Sequence, residues 1–314
     1  MTARKAPSPV DSILDLVGNT PMVRLHRIGG GEAAEIFAKL ELFNPGFSVK
    51  DRIGVGMIDR AEKAGLLKPG GTIIEPTAGN TGVGLALAGV QKGYRVILCV
   101  PENFSTEKRE VMQALGGELV LTSAEGGIKG AIEKAEELAA TIPGAYVPQQ
   151  FRNQFNADSH YETTGPEIYA QMDGRIDAFV TGAGSGGTFT GVARYLREKI
   201  PGLFCAIVEP QGSVLGGRQE AGPHDVEGIG ASFFPPVLDM SLADEVITIV
   251  DPPAYAMVAR LAREEGLLGG SSAGANVAAA LEVAQRLGPG KRVVTVIPDA
   301  AERYMSKGIY AKWR

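Results

Sequence analysis

A short stretch near the N-terminal third of the chain carries the first group that could do covalent chemistry. Lys50 follows the turn-forming residues Asn44-Pro45-Gly46 and stands at the start of a predicted helix. The positive end of the helix dipole favours the neutral form of a nearby amine. A neutral amine is nucleophilic and can form a Schiff base with an aldehyde. Taken alone, Lys50 is also consistent with a surface lysine in a first turn, so three further stretches decide the interpretation.

The second stretch, residues 182–188, is a glycine-rich turn between a predicted strand and a predicted helix. Its successive backbone amides and the helix N-terminus suit an anion such as a phosphate. It is not a Walker loop, because no Gly-Lys-Ser/Thr follows it. It partly matches a dinucleotide fingerprint with Glu209 as the acidic residue, so that interpretation and a turn without ligand both stay open. The candidate anion-binding residues are Gly184, Ser185, Gly186, Gly187 and Thr188.

Two more stretches lie where predicted helices begin. The amides of residues 77–82 and the hydroxyls of Thr77 and Thr81 suit a carboxylate, and the Asn80 amide suits a ring hydroxyl or phenolate. The hydroxyl of Ser272 suits a heteroaromatic nitrogen. Each stretch is also consistent with ordinary helix capping.

A strand–helix alternation must position these stretches. Strands are predicted over 72–75, 95–100 and 118–122, with helices over 81–92, 105–115 and 128–142 between and after them. A helix over 158–172 and a second strand–helix series follow. Alternation at this spacing predicts an α/β fold with parallel sheets that are covered by helices on both faces.

Composition excludes several classes of protein. The net charge of the 314 residues is -5, which argues against nucleic acid or an anionic membrane as partner. No apolar run approaches transmembrane length and the N-terminus lacks an apolar signal core, so we expect a cytoplasmic protein. Cys99 and Cys205 lie in apolar runs and are expected to be buried, reduced thiols. The cysteines and the three histidines show no metal-ligand spacing, so no metal site is predicted.

In combination, the motifs resemble those of the cysteine synthase and cystathionine β-synthase family, the tryptophan-synthase-β-like fold type II enzymes that use pyridoxal 5'-phosphate. Within that family the chain is most similar to O-acetylserine sulfhydrylases. The resemblance covers nearly the whole chain in order, through residues 18–21, 48–52, 77–82, 149–151, 184–188, 227–230, 272 and 302–304. It implies two lobes, each a twisted, mostly parallel sheet flanked by helices. Residues 44–155 would form a smaller lobe with a mobile substrate loop, and residues 1–43 plus 156–314 a larger lobe that binds the cofactor phosphate.

The resemblance also implies a role for each candidate residue. Lys50 would carry the cofactor and move protons at the substrate's α-carbon, and Asn80 would bond the cofactor's ring hydroxyl. The turn from Gly184 to Thr188 would hold the phosphate, and Ser272 would bond the pyridine nitrogen. A neutral hydroxyl at that nitrogen makes the ring a weaker electron sink, which favours β-elimination and β-replacement over transamination. The substrate would contact Thr77, Ala78, Gly79, Asn80, Thr81, Gln150 and Gly228.

The activity implied by the resemblance is replacement of the acetoxy group of O-acetylserine by sulfide to give cysteine. A cystathionine-forming enzyme that uses homocysteine with O-acetylserine or serine is the alternative. Ala78 stands where many members carry serine, and Pro298-Asp299-Ala300-Ala301 with residues 304–307 is more similar to cystathionine β-synthases. Phe47 and residues 222–224 and 228–233 are more similar to cysteine synthases.

The resemblance also implies binding partners, and two other classes of function are alternatives to it. The resemblance implies a homodimer and a possible complex with the C-terminal tail of a serine acetyltransferase. A nucleotide-binding oxidoreductase would use residues 182–188 but would not need Lys50. A non-catalytic relative would not need Lys50, Asn80 and Ser272 together.

Overall fold

A computed structural model describes residues 8–77 and 79–311. Ala78 and Trp313 therefore lie outside the described residues. Within that part of the chain the strands are β1 Met22–Leu25, β2 Glu35–Leu40, β3 Thr72–Pro76, β4 Arg95–Pro101, β5 Glu118–Thr122, β6 Ala145–Tyr146, β7 Ala178–Gly182, β8 Phe204–Pro210, β9 Glu245–Ile249 and β10 Arg292–Ile297.

The strands form two separate sheets. The larger sheet has the order β1-β2-β10-β7-β8-β9, in which only the β1–β2 pair is antiparallel. The smaller sheet has the order β5-β4-β3-β6 and is parallel throughout. The predicted α/β fold with two mostly parallel sheets is confirmed. The four strands of the smaller sheet fall within residues 44–155, and the bounds of the two lobes stay a prediction.

Helices connect the parallel strands, as such pairs require a crossover. Their bounds are α1 Lys50–Lys63, α2 Asn80–Gln91, α3 Thr106–Ala114, α4 Gly127–Thr141, α5 Phe155–Glu162, α6 Thr164–Gln171, α7 Gly187–Lys199, α8 Asp251–Arg260 and α9 Ser271–Leu287. Short 3₁₀ helices cover Ile13–Leu16, Glu41–Phe43, Met240–Leu242 and Ala301–Lys307, and a π-helical turn at Leu261–Glu265 extends α8.

The single helix predicted over 158–172 is wrong, because the structure has α5 and α6 with a break at Thr163. Pro166 lies in the first turn of α6. Its ring would clash with the carbonyl of residue 162 in a continuous helix, and it has no N–H to donate there. The sequence also gave no strand at Ala145–Tyr146 or Glu245–Ile249, where the structure has β6 and β9.

Apolar side chains pack on both faces of each sheet. In β7, Ala178 and Val180 join the core under α8 and α9, whereas Phe179 joins the core under α6 and α7. In the smaller sheet, Ile73 packs toward α2 and its neighbour Ile74 packs toward α4. Because successive strand residues point to opposite faces, one strand contributes to two cores. This explains why the strands are apolar at nearly every position.

The N-terminus of α1 is fixed by close packing against α2. A Cβ on Gly84 would lie 2.5 Å from the carbonyl oxygen of Lys50, and one on Gly54 would lie 2.3 Å from the carbonyl oxygen of Gly84. Both distances are too short for any side chain, so the two helices can approach only through glycine. This contact holds the backbone of Lys50 beside the start of α2.

Two further expectations concern thiols and membranes. Cys99 and Cys205 are buried and free, as predicted. Across residues 8–77 and 79–311, we find no helix whose length and apolar character would allow it to cross a membrane.

Candidate active site

A cleft of about 260 Å³ lies where the two sheets present the carboxyl ends of their strands. This is the edge at which open α/β sheets bind ligands. Loops after β3, β7 and β10 and the starts of α1, α2 and α9 contribute its walls. The predicted site residues that line it are Lys50, Thr77, Gly79, Asn80, Thr81, Gln150, Gly184, Ser185, Gly228 and Ser272.

The cleft continues into a narrower space beside the glycine-rich turn. That space is lined by Lys50, Gly184, Ser185, Gly186 and Thr188. The structure thus brings together the lysine and the turn, which are more than a hundred residues apart in the chain. Gly187 lines neither space, and Ala78 lies outside the described residues.

Lys50 is the first residue of α1, at the start of a helix as predicted. Hydrogen bonds hold the segment before it: Val49 donates its N–H to the carbonyl of Pro298 at 2.8 Å, and Ser48 Oγ accepts from Lys50 N at 3.2 Å. The Lys50 amine has no hydrogen-bond partner within the described residues. Burial lowers the pKa of Lys50 to about 8, with the carboxylate of Asp299 opposing the shift. A substantial fraction of the amine is therefore neutral near pH 8, mainly because the amine is buried.

The loop between β3 and α2 is stiffened by side-chain hydrogen bonds. Thr77 Oγ1 accepts from the N–H groups of Gly79 at 3.3 Å and Gly82 at 3.2 Å. The Thr81 hydroxyl donates to Gln150 Oε1 at 2.7 Å. These contacts leave the Gln150 amide N–H₂ and the start of α2 as donors that face the cleft, which is the arrangement a carboxylate needs.

A buried carboxyl group holds Gln150 from behind. Glu75 accepts the backbone N–H groups of Gln149 at 2.8 Å and Gln150 at 3.1 Å. Burial raises the pKa of Glu75 to about 7, although the two backbone N–H groups oppose the shift. Gln149 has a positive φ of 57°, which these contacts help to maintain.

Ser272 lies in the first turn of α9 and is 2% exposed. The helix begins after Gly270, and no side chain caps it, so the capping interpretation of Ser272 is wrong. Its hydroxyl has no hydrogen-bond partner within the described residues and faces the cleft. It is available to an acceptor or donor on a ligand.

The side chain of Asn80 is already engaged by residues from the C-terminal region. Asn80 Nδ2 donates to Asp299 Oδ2 at 2.6 Å, and Arg303 Nη1 donates to Asn80 Oδ1 at 2.6 Å. The Tyr304 hydroxyl donates to the same Asp299 oxygen, and burial raises the pKa of Asp299. Any bond from Asn80 to a ring hydroxyl would thus be made within this network.

Lys108 also lines the cleft, although it is not among the site residues predicted from the sequence. It stands in α3, is 5% exposed, and lies 4.4 Å from the centre of the Tyr304 ring. Its amine forms an ion pair of 3.2 Å with Glu227, which Lys307 also contacts. Burial alone would raise the pKa of Glu227, but Lys108 and Lys307 outweigh it and lower the pKa. A charged pair therefore lines the cleft beyond Lys50.

Comparison with known proteins decides the family. The family model described as pyridoxal-phosphate dependent enzyme matches residues 13–299 of the chain. The chain belongs to this family. The resemblance expected from the motifs is confirmed, and a nicotinamide-dependent oxidoreductase is not supported.

Individual relatives carry two kinds of name. The chain is 48% identical over 301 residues to an O-acetylserine dependent cystathionine beta-synthase of Bacillus subtilis, a match that covers 96% of this chain and 98% of that protein. It is 45% identical over 307 residues to a cysteine synthase of Staphylococcus aureus, with coverage of 98% and 99%. The solved O-acetylserine dependent cystathionine beta-synthase of Helicobacter pylori has a TM-score of 0.92 and 46% identity, with coverage of 97% and 100%.

The chemistry of the cleft residues fits pyridoxal phosphate, the cofactor of this pyridoxal-phosphate dependent enzyme family. The cleft offers an amine for the aldehyde and a hydroxyl for the pyridine nitrogen, neither of which has a hydrogen-bond partner among residues 8–77 and 79–311. It also offers a glycine-rich turn at the N-terminus of α7 for the phosphate. These groups belong to Lys50, Ser272 and residues 184–188. Within the described residues, no three His, Cys, Asp or Glu side chains cluster to hold a metal ion.

Proposed function

We propose that this pyridoxal phosphate enzyme replaces the acetoxy group of O-acetylserine by sulfide, giving cysteine and acetate. One observation carries the proposal: the Lys50 amine, the loop at Thr77–Thr81 and the Ser272 hydroxyl open into one cleft. When bound, the cofactor supplies the electron sink that labilises bonds at the α- and β-carbons of an amino acid.

The roles of the protein groups follow from their chemistry. Lys50 carries the cofactor, removes the proton at the α-carbon of O-acetylserine, and returns a proton there after sulfide has added. Thr77, Gly79, Thr81 and Gln150 bind the α-carboxylate, and Gly228 lines the same cleft. Because Ser272 is a neutral hydroxyl, it does not hold a proton on the pyridine nitrogen, which suits prompt loss of a β-leaving group.

The test is a visible spectrum of the purified holoprotein. We expect O-acetylserine alone to shift the absorbance of the bound cofactor and sulfide to restore it, because the two half-reactions are separable in a ping-pong mechanism. Cysteine and acetate should form in equal amounts. A spectrum that O-acetylserine leaves unchanged, together with an absence of acetate, would refute the proposal.

A second candidate, formation of cystathionine from homocysteine, is supported by the charged pair in the cleft. An amino-acid thiol brings its own carboxylate and ammonium group, whereas sulfide brings neither. The Lys108 amine and the Glu227 carboxylate lie 3.2 Å apart in the wall and have charges opposite to those two groups. The name of the Bacillus subtilis relative is consistent with this candidate.

Replacement of Lys108 by methionine separates the two acceptors. If homocysteine is the acceptor, we expect Lys108→Met to raise the KM for homocysteine by about tenfold or more, since a charged hydrogen bond contributes about 1.5–3 kcal/mol. The rate with sulfide should change much less. Lys134→Met, which removes a lysine from a solvent-exposed ion pair with Glu137, is the matched control. Equal effects of Lys108→Met on both acceptors would count against the second candidate.

The remaining partners are proposals as well. We propose a homodimer and a complex in which a serine acetyltransferase C-terminal tail enters the cleft. Sedimentation analysis tests the dimer, and competition between a tail peptide and O-acetylserine tests the complex.

A further inference from the structure

Two buried polar side chains stand behind the glycine-rich turn on one face of α5. Asn156 and His160 are four residues apart, so they project from the same side of the helix. They are 1% and 0% exposed. In the sequence the three histidines show no metal-ligand spacing, and Asn156 is not among the candidate site residues. Neither side chain lines the cleft or the narrower space beside the turn, yet each contacts the hydroxyl of a residue that lines this narrower space.

Asn156 donates to the first of these hydroxyls. Its Nδ2 lies 2.8 Å from the carbonyl oxygen of Gln150 and 2.9 Å from Ser185 Oγ. A carbonyl can only accept, so the contact to Gln150 fixes which end of the amide faces the turn. Ser185 Oγ therefore accepts from Asn156. The single proton of the Ser185 hydroxyl is left to donate to another group.

His160 contacts the second hydroxyl. Its Nε2 lies 3.2 Å from Thr188 Oγ1, and its Nδ1 lies 2.9 Å from Thr164 Oγ1. Burial lowers the pKa of His160 to about 3, with the charges of Arg52 and Lys50 adding to the shift. The ring is therefore neutral and carries one proton. If the ring proton is on Nε2, the Thr188 hydroxyl accepts a hydrogen bond from the ring and can donate its own proton to a ligand. If the ring proton is on Nδ1, Nε2 is an acceptor and the Thr188 hydroxyl donates to it instead.

The packing of α5 against α7 explains a glycine that lines neither space. A Cβ on Gly187 would lie 1.8 Å from Asn156 Oδ1. No side chain fits at that distance, so Gly187 gives Asn156 room to reach Ser185. The glycine at this point serves the residue behind the turn.

We propose that Asn156 and His160 direct the hydroxyl protons of Ser185 and Thr188 toward the phosphate of the cofactor. The inference rests on the proposed phosphate site at residues 184–188. Asn156 and His160 do not touch the phosphate and act as positioning residues. Each donates to the hydroxyl oxygen from the α5 side, which leaves both hydroxyls as donors to the anion. Donors that need not reorient make anion binding stronger.

The test compares two substitutions of His160 that differ in which nitrogen they imitate. The amide of His160→Gln can reach the position of Nε2 and donate to Thr188. The shorter amide of His160→Asn can imitate only Nδ1, which faces Thr164. Dissociation constants are measured by titrating each apoprotein with pyridoxal phosphate and, separately, with pyridoxal, which lacks the phosphate. Thr188→Val reports on the phosphate site itself.

We expect His160→Asn and Thr188→Val to weaken binding of pyridoxal phosphate by about tenfold each, as expected for loss of a charged hydrogen bond. His160→Gln should stay close to the wild type. Binding of pyridoxal should change little in all three variants. Equal binding by the Asn and Gln variants, or an equal loss of pyridoxal binding in His160→Asn, would overturn the role of His160. If Thr188→Val leaves binding unchanged, the proposed phosphate site is wrong, whatever the reaction of the holoprotein.

A spectroscopic measurement on the wild type gives a second, independent test. Nitrogen-15 chemical shifts of the histidine rings in the holoprotein distinguish the two neutral tautomers, and the His160 signals are assigned by their loss in His160→Gln or by contacts to Thr188. We expect the proton on Nε2. A proton on Nδ1 would refute the proposal for His160.

Discussion

Replacement of Lys50 by alanine should lower turnover with O-acetylserine and sulfide by about a thousandfold or more, since a positioned acid–base group alone contributes 10²–10⁴-fold. The amine lies in the cleft without a hydrogen-bond partner within the described residues, and burial lowers its pKa to about 8. Lys50→Ala would remove both the proposed attachment point of the cofactor and the group that we propose moves protons at the α-carbon. Steady-state assays at saturating cofactor provide the measurement.

The matched control for this experiment is Lys63→Ala. Lys63 ends the same helix that Lys50 begins, and it is exposed. Its loss should leave turnover close to the wild type. Borohydride reduction of the holoprotein followed by peptide mapping gives a second test, because it labels the lysine that carries the cofactor. A label on any lysine other than Lys50, or full turnover by Lys50→Ala, would end the proposed mechanism.

The second large effect is expected two residues further along, where Arg52 is the centre of a buried charge network. Arg52 forms ion pairs with Glu41 and Glu167 at 2.6 and 2.7 Å, and Lys39 pairs with Glu167 at 2.7 Å. The network has two positive and two negative groups, so it is neutral as a whole. Arg52→Met would leave Glu41 fully buried without its main partner. We expect a loss of about 3–5 kcal/mol in the free energy of unfolding, the usual cost of breaking a buried ion pair on one side.

The difference in the free energy of unfolding between the wild type and Arg52→Met should also depend on pH. Burial alone would raise the pKa of Glu41, but Arg52 outweighs it and lowers the pKa to about 2. In the wild type the stabilisation from Glu41 is present above its ordinary pKa and is lost as the pH falls toward 2. In Arg52→Met, burial is no longer opposed by Arg52, so protonation of Glu41 should begin at higher pH and relieve the buried charge. The difference in stability should therefore narrow as the pH falls from 7 toward 4.

Urea unfolding of both proteins at several pH values is the measurement. Arg95→Met is the control, since Arg95 forms a bidentate pair with Glu118 in which both side chains are about half exposed. An ion pair this exposed contributes little to stability, so this control should lose little. A similar loss in both variants would show that the buried network is not the source of the effect.

Much of the site could be predicted because its chemistry is local in sequence. Lys50, Thr81, Ser185 and Ser272 each stand next to glycine or at a helix start, and such positions can be recognised from neighbouring residues alone. Alternation of strands and helices likewise predicted parallel strands covered by helices, and the family resemblance implied that they form two sheets. The break before α6 also has a local signal, since Pro166 lies inside the predicted helix.

The parts that could not be predicted depend on pairs that are distant in the chain. Lys108 and Glu227 are 119 residues apart, and Asn80 and Asp299 are 219 residues apart. Nothing in the residues around Lys108 distinguishes it from a lysine on the exposed face of a helix. His160 is similar, because Thr188, one of its two threonine partners, is brought next to it only when α5 and α7 pack together. Such contacts are determined by the fold and cannot be predicted from any short sequence motif.

The position of the cleft between two sheets has a consequence for how loss of structure would be observed. The loop that is proposed to bind substrate follows β3 of one sheet, and the proposed phosphate turn follows β7 of the other. A cofactor that contacts both the loop and the turn must be released when the part of the protein around either sheet unfolds. The visible absorbance of the bound cofactor would then be lost when the part around only one sheet unfolds, before circular dichroism reports complete unfolding. Heating or denaturant experiments that follow both signals would show whether the halves melt as one unit.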